Sequence, residues 1–483
     1  MSASATPIEI ETPKKNAVTC LYVSANRGKQ MTVDLVVRGC RIVTSTATLE
    51  GFGIACDEGK IVQISTDSTL PAADEVIDAK GNFVLPGIVD THVHMRDPGD
   101  TVYKEDWTTG SAGAACGGVT TVFDMPSALD TAYEVRDIST FRRKEEAARS
   151  QSVVDFALYG LIKEDNLDDL VKMVGVGAVG FKVFFSASAP GAPPITDGAA
   201  VDAFSRIAKT GRRIAVHAEN ARMIEHNERA FKTMGRGDVM VHLEIRNNLS
   251  EAEAIQRAIL FAEATGAKIH IAHMSSGSGV DAVAAAKSRG LPVSAETCPH
   301  YLLLSSDDYK RIGSVIRVNP PVRHKTDSER LWLGILDGTV DCIGTDHAPH
   351  SREEKVTDDY WKTLSGFPGL ETSARLMLTQ INSGRLSLNQ YVKLSSENAA
   401  RLFGIYPQKG ALTVGADCDL TIVDMRHEGV IKAEELQSKS KVTPFDGVRY
   451  RGKPVCTIVR GNVVMEDGEI VSKPVGQLVK PAS

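Results

Sequence analysis

The chain has 483 residues, of which 42% are hydrophobic and 24% charged, and its formal net charge is −6 at pH 7. This length predicts one large domain with a smaller companion. The acidic balance and the lack of a basic run argue against nucleic acid as a partner. No apolar run is long enough to span a membrane, and residues 1–30 carry no signal-peptide hydrophobic segment. We expect a cytoplasmic protein whose residues 1–30 form a flexible extension.

The eight cysteines are scattered along the chain and form no Cys-x-x-Cys motif. This spacing favours reduced thiols over a disulfide framework or a zinc finger. The pattern agrees with a cytoplasmic enzyme.

The two ends of the chain have a similar β-type pattern. Residues 31–84 contain short β-rich runs separated by Gly and Asp, and such runs return in residues 406–483, at 412–424 and 454–464. We predict that the two ends pair into one small β-sandwich.

Between these ends, residues 85–405 alternate apolar runs with amphipathic segments. Strands are predicted at 88–92, 120–124, 154–159, 179–184, 213–217, 268–273, 293–297 and 341–345, and helices at 197–210, 250–265, 279–289 and 327–336. Ser250 and Glu253 have the spacing of a capping box. Eight strand–helix units favour a (β/α)8 TIM barrel, an α/β fold, over an open sheet. Chemistry in this fold lies at the C-terminal ends of the strands.

Residues that can bind metal occur at those strand ends. His92 and His94 are two apart, so on a strand both imidazoles face one side, as a zinc site requires. His217, His273 and Asp346 close three later strands. Their shared position predicts one metal site at one face of the barrel.

Lys182 lies within the apolar run Gly180–Phe184, where a lysine is rarely buried without a partner. Desolvation favours its neutral amine, which can react with CO2. The resulting carbamate has two oxygens and could bridge two metal ions about 3.5–4 Å apart.

These residues occur in motifs that resemble the amidohydrolase superfamily. The motifs are His92-Val-His94, Gly180-Phe-Lys182, His217-Ala-Glu, Ile271-Ala-His273 and Thr345-Asp346-His-Ala-Pro-His350. Within the superfamily the chain is similar to the cyclic amidohydrolases: dihydroorotases, hydantoinases, dihydropyrimidinases and allantoinases. The resemblance covers about residues 33–471.

The resemblance implies an enzyme that hydrolyses C–N bonds in cyclic amides and binds two divalent metal ions, with zinc expected. It implies that His92, His94 and Asp346 bind one metal, that His217 and His273 bind the other, and that carbamylated Lys182 bridges them. A shared hydroxide would attack the ring carbonyl, and Asp346 would carry a proton to the leaving nitrogen.

The substrate motifs are mixed. Arg96 and His350 resemble the dihydroorotase residues that hold the substrate carboxylate, and the segment around Asn319 is also dihydroorotase-like. Where dihydroorotases carry Asn, this chain has Ser127. His300, after the seventh predicted strand, is a further candidate for a substrate contact. The Gly/Pro-rich residues 186–194 are predicted to form a mobile loop over the site.

The primary hypothesis is therefore a dihydroorotase-like hydrolase that converts dihydroorotate to N-carbamoyl-aspartate. Segments at 154–160, 405–410 and 444–447 resemble hydantoinases and allantoinases instead, so a neutral cyclic ureide is the alternative substrate. A non-catalytic scaffold is a remote third possibility, since such relatives lose the metal ligands that are complete here. We expect a homo-oligomer, a dimer or tetramer.

Overall fold

The computed structural model describes residues 32–128, 130–187 and 194–482. The predicted N-terminal extension, residues 1–30, lies outside the described residues, as do residues 188–193 of the Gly/Pro-rich segment.

Strands fall into two groups. The chain ends supply β1 Val33–Val43, β2 Thr48–Asp57, β3 Lys60–Thr66, β4 Ala73–Asp78, β5 Phe83–Pro86, β14 Leu420–Val430, β15 Arg449–Val459, β16 Asn462–Glu466 and β17 Glu469–Ile470. The middle of the chain supplies β6 Ile88–Val93, β7 Val119–Asp124, β8 Asp155–Leu161, β9 Gly180–Phe184, β10 Arg213–His217, β11 Lys268–Ile271, β12 Val293–Thr297 and β13 Cys342–Ile343.

The α-helices lie between the barrel strands and after the last of these strands. They are α1 Trp107–Cys116, α2 Ile138–Gln151, α3 Leu170–Val176, α4 Asp197–Ala208, α5 Ala221–Thr233, α6 Val241–Ile245, α7 Asn248–Thr265, α8 Gly277–Ser288, α9 Pro299–Leu303, α10 Tyr309–Ile312, α11 Lys325–Asp337, α12 Arg352–Lys355, α13 Leu370–Asn382, α14 Leu388–Val392 and α15 Asn398–Leu402. None of the helices in these described ranges has the length and apolar character needed to cross a bilayer.

Strands β6 to β13 form one parallel sheet in sequence order, which confirms the predicted (β/α)8 barrel. A bridge between Val93 and His347 joins its first and last edges. All residues of β6, β7 and β8 are buried, as expected for parallel strands covered on both faces. The barrel thus brings the ends of eight strands to one face, as the sequence predicted.

Strands from the two chain ends meet in one mixed sheet, with the order β17-β16-β15-β14-β5-β1-β2-β3 and β4 paired with β1. The predicted pairing of the ends is confirmed, and the strands are joined in a single continuous sheet. Its apolar side chains form a core of their own, which includes Leu35, Ile54, Ile61 and Leu420.

Gly87 alone separates β5 of this sheet from β6 of the barrel. A Cβ atom at this position would lie 2.0 Å from Oγ1 of Thr120, so only glycine lets the chain pass so close to β7. The buried Lys409 also joins the two parts, because its Nζ lies 2.5 Å from Asp155 of β8 and 2.7 Å from Asp419. The barrel and the sheet are thus attached directly at the start of β6, the strand that leads to His92 and His94.

One detail of α7 differs from the prediction. Asn247, rather than Ser250, caps the helix, and its side chain accepts a hydrogen bond from the Ser250 backbone N–H at 3.1 Å. The predicted capping box of Ser250 and Glu253 is therefore wrong. Asparagine caps a helix as well as serine does. Because Asn247 caps it, the helix begins at Asn248, and Ser250 lies in its first turn.

The described cysteines are buried and form no disulfide.

Candidate active site

The first group of predicted metal ligands converges at one point. His92 and His94 lie at the end of β6, and Asp346 follows β13, the neighbouring strand across the barrel closure. Nε2 of each histidine lies 3.4 Å from Oδ1 of Asp346. Possible ligand atoms of the three residues lie within 4.8 Å of one another, which is a separation that one metal ion can bridge.

The second group comes from β10 and β11. Nδ1 of His217 lies 3.0 Å from Nε2 of His273, and the ring centroids are 4.8 Å apart. The ring of His273 is also 5.0 Å from that of His92, so the two groups are adjacent. Two imidazoles with facing nitrogens form half of a typical zinc coordination shell.

Lys182 lies on β9 with no exposed surface. Its Nζ has no hydrogen-bond partner among the described residues, and the nearby ring of Phe184 is 5.2 Å away. Burial lowers the pKa of this amine. A buried lysine without an acceptor is costly as an ammonium, so the residues present fit a lysine that gains oxygen ligands and metal ions. The site thus suits the two divalent ions that the sequence predicted.

Three residues of the candidate site have an unusual backbone conformation. Arg96, His273 and Asp346 have φ values of 60°, 38° and 47°, in the left-handed region that non-glycine residues rarely adopt. Such conformations persist only where the surrounding structure holds them, and they concentrate at functional sites. All three turn the chain sharply just beyond a barrel strand.

Two glutamate carboxylates form hydrogen bonds with histidines of the candidate site. Oε1 of Glu296, on β12, lies 2.5 Å from Nδ1 of His92, and Oε2 of Glu219 lies 2.9 Å from Nε2 of His217. Each contact leaves the other ring nitrogen directed at the site. Such carboxylate–histidine pairs fix the tautomer and orientation of a metal ligand.

Sequence reasoning did not assign a role to these two glutamates. Glu296 lies within the otherwise uncharged strand Val293–Thr297, and a charge buried inside a strand was an available signal. Glu219 is two residues beyond His217, and Arg246 forms an ion pair with it. Burial opposes ionisation of Glu219, but Arg246 and His217 outweigh this effect and lower its pKa to about 2.

Electrostatics keep the histidines neutral and ready to bind metal. Burial lowers the pKa of His92 to about 4 and the pKa values of His94 and His273 well below their usual range. Metal binding requires the neutral imidazole. Burial raises the pKa of the Asp346 carboxyl group above its usual range.

A cavity of about 190 Å³ opens onto these residues. Four of the predicted substrate residues line it: Arg96, Ser127, Asn319 and His350. His300 does not line it and packs instead against Tyr301 and Phe367, with ring centroids 4.1 and 5.1 Å away. A substrate role for His300 stays a prediction that this position does not favour.

A barrel with histidine, lysine and aspartate side chains gathered at its strand ends is the architecture of a metal-dependent hydrolase. Comparison with known proteins gives the family. The Amidohydrolase family model matches residues 83–464. The chain therefore belongs to the amidohydrolase family, as its motifs predicted.

Several relatives match over almost their whole length. An L-hydantoinase from Paenarthrobacter aurescens is 40% identical over 92% of this chain and 98% of its own. An allantoinase from Solibacter usitatus is 35% identical over 93% and 97%. A dihydroorotase from Methanosphaera stadtmanae is 34% identical over 90% and 97%.

The solved structures agree with the family and the fold. The structure of an L-hydantoinase (dihydropyrimidinase) from Arthrobacter aurescens has a TM-score of 0.90 and 40% identity, covering 93% of this chain and all of that chain. The predicted class of enzyme, a hydrolase of C–N bonds in cyclic amides, is confirmed.

Proposed function

We propose that this enzyme opens a cyclic amide or ureide ring that carries a carboxylate, with dihydroorotate as the preferred substrate and N-carbamoyl-aspartate as the product. The observation that carries this proposal is that Arg96 lies at the cavity without an ion-pair partner among the described residues. Its guanidinium lines the cavity, and no carboxylate in the described part of the chain forms an ion pair with it.

A buried guanidinium needs an anion. Two carboxylates that follow Arg96 in the sequence, Asp97 and Glu105, are engaged elsewhere: Asp97 accepts from Gln151, and Glu105 lies 3.2 Å from His347. The planar fork of arginine matches a carboxylate with two charge-assisted hydrogen bonds. The carboxylates of Asp346 and Asp124 attract the guanidinium but form no ion pair with it. A neutral ring would therefore leave it without a directly paired anion, which is unfavourable in a desolvated site.

For the metal centre, we propose zinc ions held by His92, His94 and Asp346 on one side and by His217 and His273 on the other, with carbamylated Lys182 between them. Bound there, such ions would polarise the ring carbonyl and lower the pKa of a water molecule. The unpartnered Nζ of Lys182 and the facing nitrogens of His217 and His273 support this assignment.

Asp346 is then the acid–base residue. Its carboxylate takes a proton from the attacking water, whose oxygen bonds to the ring carbonyl carbon. As the carbon–nitrogen bond of the ring breaks, Asp346 returns the proton to the leaving nitrogen. Arg96 holds the substrate carboxylate throughout and sets which carbonyl faces Asp346.

A substrate screen tests the proposal. Purified metal-loaded protein is assayed against dihydroorotate, hydantoins, dihydrouracil and allantoin. The expected result is the highest kcat/KM for dihydroorotate. Faster hydrolysis of hydantoins would overturn the carboxylate assignment. It would favour a neutral ureide as the substrate, the alternative that Ser127 and the 40% identity to an L-hydantoinase support.

We also propose that the enzyme is a homo-oligomer and that it is located in the cytoplasm.

A further inference from the structure

A second cation lies in the cavity beside Arg96. Lys104 precedes α1, and its side chain is only 1% exposed although it lines the cavity. Its Nζ lies 2.9 Å from Oε1 of Glu354 and 3.2 Å from Nδ1 of His350. This lysine lies outside the dihydroorotase-like motifs that contain Arg96 and His350.

The contacts of His350 decide what this residue can offer a substrate. Its Nε2 lies 3.0 Å from the backbone carbonyl oxygen of Ser365, which can only accept, so Nε2 carries the proton. Nδ1 of a neutral imidazole is then an acceptor, and the Lys104 ammonium donates to it. Burial lowers the pKa of His350 to about 3, in agreement with a neutral ring. Oε2 of Glu354 lies farther from Nδ1, at 3.5 Å.

Both nitrogens of His350 are therefore occupied, and its single N–H, on Nε2, is not available to a substrate anion. Lys104 differs, because an ammonium has three donors and only two have acceptors among the described residues. Glu354 forms an ion pair with Lys104, whereas Arg96 forms none among the described residues.

We propose that Lys104, oriented by His350 and Glu354, is the second cationic contact to the substrate carboxylate and determines specificity together with Arg96. The inference rests on the proposed function, since it assumes a ring with one carboxylate. His350 is then a positioning residue that holds Lys104 and the Ser365 segment of the cavity wall, rather than a substrate ligand.

The experiment compares KM and kcat for dihydroorotate and a neutral hydantoin. Lys104→Met should raise the KM for dihydroorotate roughly 30-fold or more, since a charged hydrogen bond is lost in a desolvated site. The kcat and the metal content should stay near wild type, and the KM for hydantoin should change little. Lys287→Met is the matched control, because Lys287 also forms a lysine–carboxylate pair, 2.7 Å from Asp341.

His350→Gln distinguishes the role of His350 from that of Lys104. A glutamine oxygen can still accept from Lys104, so this variant should cost less in KM for dihydroorotate than Lys104→Met does. A larger cost in His350→Gln than in Lys104→Met would overturn the inference. So would a Lys104→Met enzyme whose KM for dihydroorotate matches wild type.

Two further outcomes are distinguishable. If Lys104→Met does not fold, Lys104→Gln keeps a donor toward His350 but no charge, and it should show the same selective rise in KM. If the wild-type enzyme itself prefers neutral rings, the proposed function fails before any variant is made, and this inference fails with it.

Discussion

Nδ1 of His92 lies 2.5 Å from Oε1 of Glu296, and both side chains are 1% exposed. The same carboxylate accepts from the Thr91 hydroxyl at 2.5 Å and from the His273 backbone N–H at 3.2 Å. One buried carboxylate therefore contacts residues of both proposed metal-ligand groups.

This relationship predicts the effect of Glu296→Gln. An amide keeps the size of the side chain but loses the charge that fixes the His92 tautomer. Metal affinity should fall roughly 10–100-fold, the usual cost of losing such a partner. Metal content after dialysis against graded chelator measures it. Glu263→Gln, at an exposed ion pair with Arg289, is the control, and equal affinity in both variants would contradict the role.

Lys182→Ala should release the metal ions and abolish activity, because the proposed bridging oxygens belong to its carbamate. Small carboxylates such as acetate should restore part of both by replacing the carbamate. Elemental analysis of the wild type should give two divalent ions per chain. One ion or none in active protein, or full activity in Lys182→Ala, would refute the dinuclear centre.

Asp346→Asn tests the proton transfer. An amide cannot carry a proton between water and the leaving nitrogen, so kcat should fall by about 10²–10⁴. Metal content is measured alongside, since Asp346 is also a ligand in the proposal. Asp337→Asn, on the exposed end of α11, serves as the control. A kcat within a few-fold of wild type would exclude Asp346 as the acid–base residue.

Arg96→Met distinguishes the substrate classes. Loss of the guanidinium should cost about 2–4 kcal/mol in kcat/KM for dihydroorotate, the range for breaking a buried charged pair. Neutral rings should be unaffected or improved. Steady-state kinetics with both substrates give the answer, with the exposed Arg222→Met as control. An equal loss for both classes would mean that Arg96 is structural.

His300 provides a test of pH dependence. Burial lowers its pKa to about 3 from an ordinary value of 6.5. As the pH falls below 6.5, the unfolded chain binds a proton that the folded chain does not, so stability is lost until the pH nears 3. His300→Leu should remove about 1.4 kcal/mol of this loss per pH unit. Denaturant unfolding at several pH values measures it.

The same variant checks the role of His300. Because this ring lies outside the cavity lining, His300→Leu should leave the KM for dihydroorotate near wild type. A large rise in KM with an unchanged acid profile would instead support the substrate contact that the sequence predicted.

The barrel was predictable because its signals are local. Apolar runs of strand length mark its strands, and residues such as His217 and Asp346 come directly where those runs end. The rule that chemistry collects at strand ends then places the ligands together without any knowledge of loop geometry. Arg96 followed from its distance of two residues from His94.

What the sequence could not provide depends on contacts between distant segments. Lys104 and His350 are 246 positions apart, and nothing in either motif shows that they meet in one cavity. Glu296 and His92 are 204 positions apart. That both ring nitrogens of His350 have hydrogen-bond partners is likewise visible only in the folded state, because it depends on where the Ser365 carbonyl lies.

The continuous sheet from both chain ends has a consequence for biosynthesis. Strand β5 pairs with β14, β14 with β15, and β16 and β17 follow, so the sheet can be completed only after residue 470 has left the ribosome. Until β14 is made, β5 is an open edge of the sheet, and an open edge can pair wrongly with other strands. This edge stays unpaired while the whole barrel is translated, so the growing polypeptide is open to wrong pairing for most of its synthesis.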